Sequence, residues 1–218
     1  MNRATKTIVS TIGVILGISG LDHGIFEILQ GNQPTESLLI NAIGPDHIMW
    51  EHGGESAFTI LPTFLLTGIL AITVGIAMII WSVWFIDKKR GPLVFFLLNL
   101  PLFLFGGGIG APVLIYPAAG IAATLIYKPL KGWQKTLPER IRPFLAKLWP
   151  YTLTIAVISM LVGLFIAITG HIPGVNSDNP NKILAIDLTF VFGGGLGMFL
   201  VSYVSGFADD IQRNWENV

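Results

Sequence analysis

The chain has 218 residues, 52% hydrophobic and only 12% charged, with a formal net charge of zero and no cysteine. Ordinary soluble domains carry about a quarter charged residues, so this composition and a mean hydropathy of +0.69 point to lipid as the solvent. Zero net charge excludes a bulk field that would gather nucleic acid, and the lack of cysteine excludes disulfides, thiolate metal sites, iron–sulfur clusters and cysteine nucleophiles.

Met1–Lys6 ahead of an apolar run resembles a signal peptide. No small-x-small cleavage site follows, so the segment is expected to persist as a helix. Ile8–Leu29 is the first stretch of about 20 apolar residues, the length a bilayer-crossing helix needs. Along it, Ser10, Gly13, Gly17, Gly20, Gly24, Glu27 and Gly31 recur at spacings of 3 and 4, one stripe on one helix face. Small residues at that period let helix backbones approach closely, and the stripe carries Glu27 toward protein.

Gln30–Ser56 is a polar, acidic loop, and Ala57–Ile86 is a second apolar span. Asp87-Lys88-Lys89-Arg90-Gly91-Pro92 is a basic turn. The next run, Pro92–Tyr127, would measure about 54 Å as one helix, against a bilayer core of about 30 Å. Its Gly106-Gly107-Gly108, Pro112 and Pro117 divide it into Pro92–Gly108 and Gly110–Tyr127, a short hairpin or a re-entrant pair. Lys128–Pro150 is a basic loop with Lys128, Lys131, Lys135, Arg140, Arg142 and Lys147. Tyr151–Gly170 and Ile183–Phe207 are two further spans, separated by the turn-rich His171–Asn181. Phe103–Gly110 and Phe190–Gly197 resemble each other, a faint sign of inverted repeats.

With the N-terminus in the cytoplasm and six crossings, twelve of the thirteen Lys and Arg fall inside, all but Lys182. The expected fold is an all-α polytopic membrane bundle of about six transmembrane helices, both termini cytoplasmic. Residues 1–218 form one transmembrane domain, with 30–56 an outer acidic cap and 128–150 a basic cytoplasmic loop. The expected location is a plasma membrane of bacterial or archaeal type. The expected partners are the bilayer itself, anionic headgroups at 128–150, and a second copy or a membrane-complex subunit against the glycine-rich faces.

This orientation gathers all four histidines on the outer side. Ionisable groups within a span are costly and usually mark a cavity, a pair or a proton path. Asp22, His23, Glu27, Glu51, Glu55 and Asp187 are therefore candidates for a substrate or proton site. A helix over Asp46–Ser56 would put His47, Glu51 and Glu55 on one face, although Gly53-Gly54 opposes it. His23, Glu27, His47, His52 and His171 are candidate ligands for a divalent transition metal such as Zn, Mn or Fe. His23 with His171 could instead clamp a haem. No HExxH, phosphate loop or nucleophile elbow accompanies them. The functional expectation is a small transporter or transporter subunit with a His/carboxylate site on its outer side. A metal-dependent membrane enzyme and a non-catalytic subunit of a membrane complex are the alternatives.

Overall fold

Arg3–Leu29 forms one unbroken helix, α1, in a computed structural model of the chain that describes residues 1–108, 112–172, 174–175 and 179–215. Its first turn is tied down from the far end of the chain. Asp210 accepts from the Ala4 and Thr5 amides at 3.0 and 2.9 Å and from the Thr5 hydroxyl at 2.7 Å. The first four amides of a helix have no partner within it, so a buried carboxylate there supplies what the local sequence lacks. Asn2 donates from its side chain to Leu125 O and Lys128 O.

After α1 the chain makes a two-stranded antiparallel hairpin, β1 (Leu39–Asn41) and β2 (Ser56–Phe58), with Ile40 opposite Ala57. The connection holds a single 3₁₀ turn, Pro45–His47. Helix α2 runs Phe64–Ile80 and continues through a π turn at Trp81–Phe85. Thr63 caps it, accepting from the Leu66 amide. Helix α3 is Gly91–Leu104, α4 Pro112–Thr124, α5 Lys131–Thr136 and α6 Arg142–Thr169. Helix α7, Pro180–Leu188, passes through a π-helical stretch at Thr189–Gly197 into α8, Met198–Trp215.

The glycine stripe of α1 faces α2. A Cβ on Gly24 would lie 2.7 Å from Gly68 O, and one on Gly68 would lie 2.5 Å from Gly24 O. Gly17 meets Gly75 O and Gly20 meets Ala71 O in the same way. Further along, Gly13 sits on Ser82 and Phe95. Helix α6 packs mainly on α8, where Ser202 donates to Thr152 at 3.0 Å. The apolar core between these pairs holds Ile8, Ile12, Leu16, Met78, Phe95 and Phe199.

The structure corrects the sequence reading in five respects. The fold is a helical bundle as expected, but a short hairpin, β1 and β2, interrupts it after α1, and the second apolar run begins as strand, with its helix starting only at Phe64. Six equivalent spans are not present: among the described residues four helices have the length and composition to cross a membrane, and Gly91–Leu104 and the helix after Gly110 are shorter. The glycine face expected to receive a partner is consumed inside the chain by α2. The 103–110 and 190–197 repeats also differ: the described part of the first, 103–108, runs past the end of α3, whereas 190–197 lies in a π-helical stretch.

The fifth correction concerns charge. The positive-inside count takes every Lys and Arg as a free surface charge. Arg142 is instead buried and donates to Gln134 O and Leu137 O, and Lys6 pairs with Asp87 at 2.6 Å. With Asp210, Glu27, His23, Asn99 and Asp187 also buried, polar groups are drawn between the helices along the bundle, the interior of a self-contained helical domain. The cytoplasmic-termini topology, the plasma-membrane location and the headgroup contacts at 128–150, all inferred from charge placement, are withdrawn on this finding. The bundle's outer faces are apolar, with Leu93, Phe96, Leu97 and Leu100 of α3 and Tyr151, Ile155, Ile158 and Phe165 of α6 exposed.

Candidate functional site

A half-open cavity of about 410 Å³ lies between α1, α6, α7 with its π-helical extension, and the 52–56 segment before β2. Its walls are apolar: Ile15 and Ile18 from α1, Met160, Leu161 and Leu164 from α6, and Leu184, Val191 and Phe192 from the chain through α7. One end is polar, with Ser19, His23, His52, Glu55 and Asp187.

Each polar group is positioned by its own element. His23 is nearly two turns from the end of α1 and 4% exposed, with Nε2 3.8 Å from a Glu55 carboxylate oxygen. Its Nδ1 is buried with no hydrogen-bond partner. Glu55 arrives at the start of β2, where its carbonyl accepts from the Ala42 amide at 2.6 Å. His52 lies 3.2 Å from Asn181 Oδ1 and meets Trp50 edge to face. Trp50 anchors the segment by donating to Ala167 O at 2.8 Å. Its ring lies over Gly170, whose positive φ of 62° closes α6 and whose missing Cβ leaves room for the indole. Asp187 enters from the last turn of α7, 6% exposed, with Oδ1 unpartnered.

Burial sets the protonation of this group. It pushes His23 down to about 4 and Glu55 up to about 7, the latter raised further by the charges of Asp187 and Asp22. Asp22 and Asp187 are both pushed up to about 6 by burial. At neutral pH the imidazole is therefore uncharged, and the His23–Glu55 contact is not an ion pair despite its 3.8 Å separation. Glu55 faces the neutral histidine, and the charges of Asp187 and Asp22 act on Glu55.

Of the residues singled out from sequence, His23, Glu55, His52 and Asp187 converge on the cavity. Asp22 flanks it and acts on Glu55 through its charge. Glu51 is exposed in the turn before Gly53, and His47 ends the 3₁₀ turn away from the site. His171 is exposed and edge-on to Phe165, so no haem clamp with His23 forms. Glu27 lies elsewhere, fully buried, both oxygens unpartnered, pressed against the backbone at Gly106, whose φ of +94° and missing Cβ admit it. Among the described residues no three His, Asp or Glu are grouped to hold a metal ion. Sequence reasoning missed Ser19, whose hydroxyl grips Gly107 O together with that of Tyr116. It also missed the apolar walls, which nothing in the sequence separates from other core positions.

These placements overturn the functional expectations. Transport needed Glu27 on a water-accessible path, and it is sealed outside the cavity. The membrane metalloenzyme needed the five candidate ligands together, and they are dispersed. The subunit reading needed a free glycine face, and α2 covers it.

Fold and site together define a helical bundle with a β-hairpin shoulder and an amphipathic, acid-ended cavity. Comparison with protein-family models, curated proteins and solved structures finds no match.

Proposed function

We propose that the chain is a binding protein for a small amphipathic molecule. The apolar body of that molecule lies among Met160, Leu164, Leu184 and Phe192. Its polar end meets His23, Glu55 and Asp187. The observation that supports this is the cavity itself, about 410 Å³ with apolar walls and convergent polar groups at one end, the usual construction of a small-molecule site. Unpaired buried polar atoms at His23 Nδ1 and Asp187 Oδ1 favour a ligand as well, because such groups ordinarily find partners.

The test is calorimetric titration of the purified protein with phenethyl alcohol, phenethylamine and phenylacetate, which share one apolar body and differ at the head. Ala167→Phe, which places a ring in the cavity, is the control. Saturable binding of at least one probe to the wild type, lost in Ala167→Phe, is expected. Binding of none, or equal binding by both proteins, contradicts the reading.

A further inference from the structure

The polar end of the cavity has a sign. Glu55 and Asp187 line it, Asp22 stands close enough to act on Glu55, and among the described residues no Lys or Arg lines it. The basic groups among those lining residues are His23, with its buried neutral ring, and His52, which is committed to Asn181.

An acidic cluster alone is a weak indication, since exposed carboxylates are solvated. Asp187 is not exposed. It is more than nine-tenths buried, lines the cavity, and has an oxygen with no hydrogen-bond partner. Asp22 likewise buries an unpartnered oxygen. The cross-helix carboxylate Asp210 takes three donors, so this chain does supply partners to a buried acid where the role is structural. At Asp187 Oδ1 the described residues supply none.

We infer that the ligand is an organic cation, an apolar body carrying a protonated amine, whose N–H groups donate to Asp187 and Glu55. This rests on the cavity being a small-molecule site. An ammonium has three donors and no acceptor, which fits an end made of acceptors. A neutral imidazole adds a further acceptor where its tautomer leaves a nitrogen bare. An anionic head would face like charge, and a hydroxyl head would leave most of the acceptors unpaired. The apolar walls of Leu164, Leu184 and Phe192 exclude a bare metal ion as the matching occupant.

The experiment compares the same three probes at about pH 8, where carboxyl groups and the amine are both charged. Phenethylamine is expected to bind at least about tenfold tighter than phenethyl alcohol, with phenylacetate weakest; one charge-assisted bond suffices for that ratio. Asp187→Asn is expected to bring amine and alcohol within about threefold of each other, with an unfolding transition measured alongside to show that the variant is folded. Glu55→Gln should reduce the preference in the same direction. Equal affinity of amine and alcohol for the wild type, or a preference for phenylacetate, overturns the cation inference and leaves the binding function standing. A preference that survives Asp187→Asn and Glu55→Gln overturns the assignment of these carboxylates. Binding of no probe removes the cavity reading, and this inference with it.

Discussion

Asp210→Ala tests how the two ends of the chain hold the bundle together. The carboxylate is 3% exposed and takes three hydrogen bonds from the first turn of α1, two from backbone amides and one from the Thr5 hydroxyl. Each hydrogen bond to a charged group contributes about 1.5–3 kcal/mol, and breaking a buried polar set leaves donors stranded. The three share one acceptor and are not additive, so the expected loss is about 3–5 kcal/mol, the range for removing one partner of a buried charged contact. For a chain of this size that is a fall of about 6–20 °C in Tm. Asp210→Asn keeps one acceptor oxygen and should lose about half as much. The neighbouring Asp209→Ala removes only a surface pair with Arg213 at 2.7 Å, expected to matter by about 0.5 kcal/mol or less. Thermal unfolding of the four proteins in one solvent is the assay. An Asp210→Ala Tm within about 2 °C of wild type refutes the view that this carboxylate clamps α1.

Three further perturbations follow from the same geometry. Gly24→Val places a branched side chain where a Cβ already meets Gly68 O at 2.7 Å, so α1 and α2 must separate and stability should fall by about 2–3 kcal/mol; an unchanged melting curve contradicts the contact. Glu55 is raised by burial to about 7, so the folded chain holds its proton where the unfolded chain has released it. The stability difference between wild type and Glu55→Gln should therefore fall as pH rises from about 4.5 to 7, by roughly 2–3 kcal/mol. A flat difference, or one that grows with pH, would sink that account. Glu27, pushed up to about 9 by burial, is protonated at neutral pH, so Glu27→Gln should cost less than about 1 kcal/mol there; a loss above about 3 kcal/mol would mean the group is charged and paired.

Local pattern carried much of the fold. The 3-and-4 spacing from Ser10 to Glu27 specified a helix face in close contact with another, and α2 supplies that contact. Gly53-Gly54 argued against a helix between Asp46 and Ser56, and that segment is a turn leading into a strand. The hairpin itself was hidden, because Leu39–Asn41 and Ser56–Phe58 are too short for alternation to register. Charge counting was the weakest guide. It saw Arg142 as one of six loop cations, whereas its side chain satisfies carbonyls within the fold.

For the site, the ionisable residues were legible individually and their grouping was not. His23 and Glu27 share a period of four, and both lie against one glycine turn, Glu27 at Gly106 and His23 at Gly108. Only His23 lines the cavity and reaches Glu55. Joining His23 to Glu55 and Asp187 takes contacts across 32 and 164 residues of chain, which no local window reports. The cavity walls are ordinary Leu, Met and Phe, and only their arrangement around a gap distinguishes them.

The most direct measurement follows the four histidine side chains by ¹⁵N–¹H NMR in selectively labelled protein while phenethylamine is added. The account predicts saturable shifts at His23 and His52, which line the cavity. His47 and His171, which lie outside it, should stay fixed. Shifts at all four histidines in proportion to probe, or at none, would contradict a ligand site at this cavity.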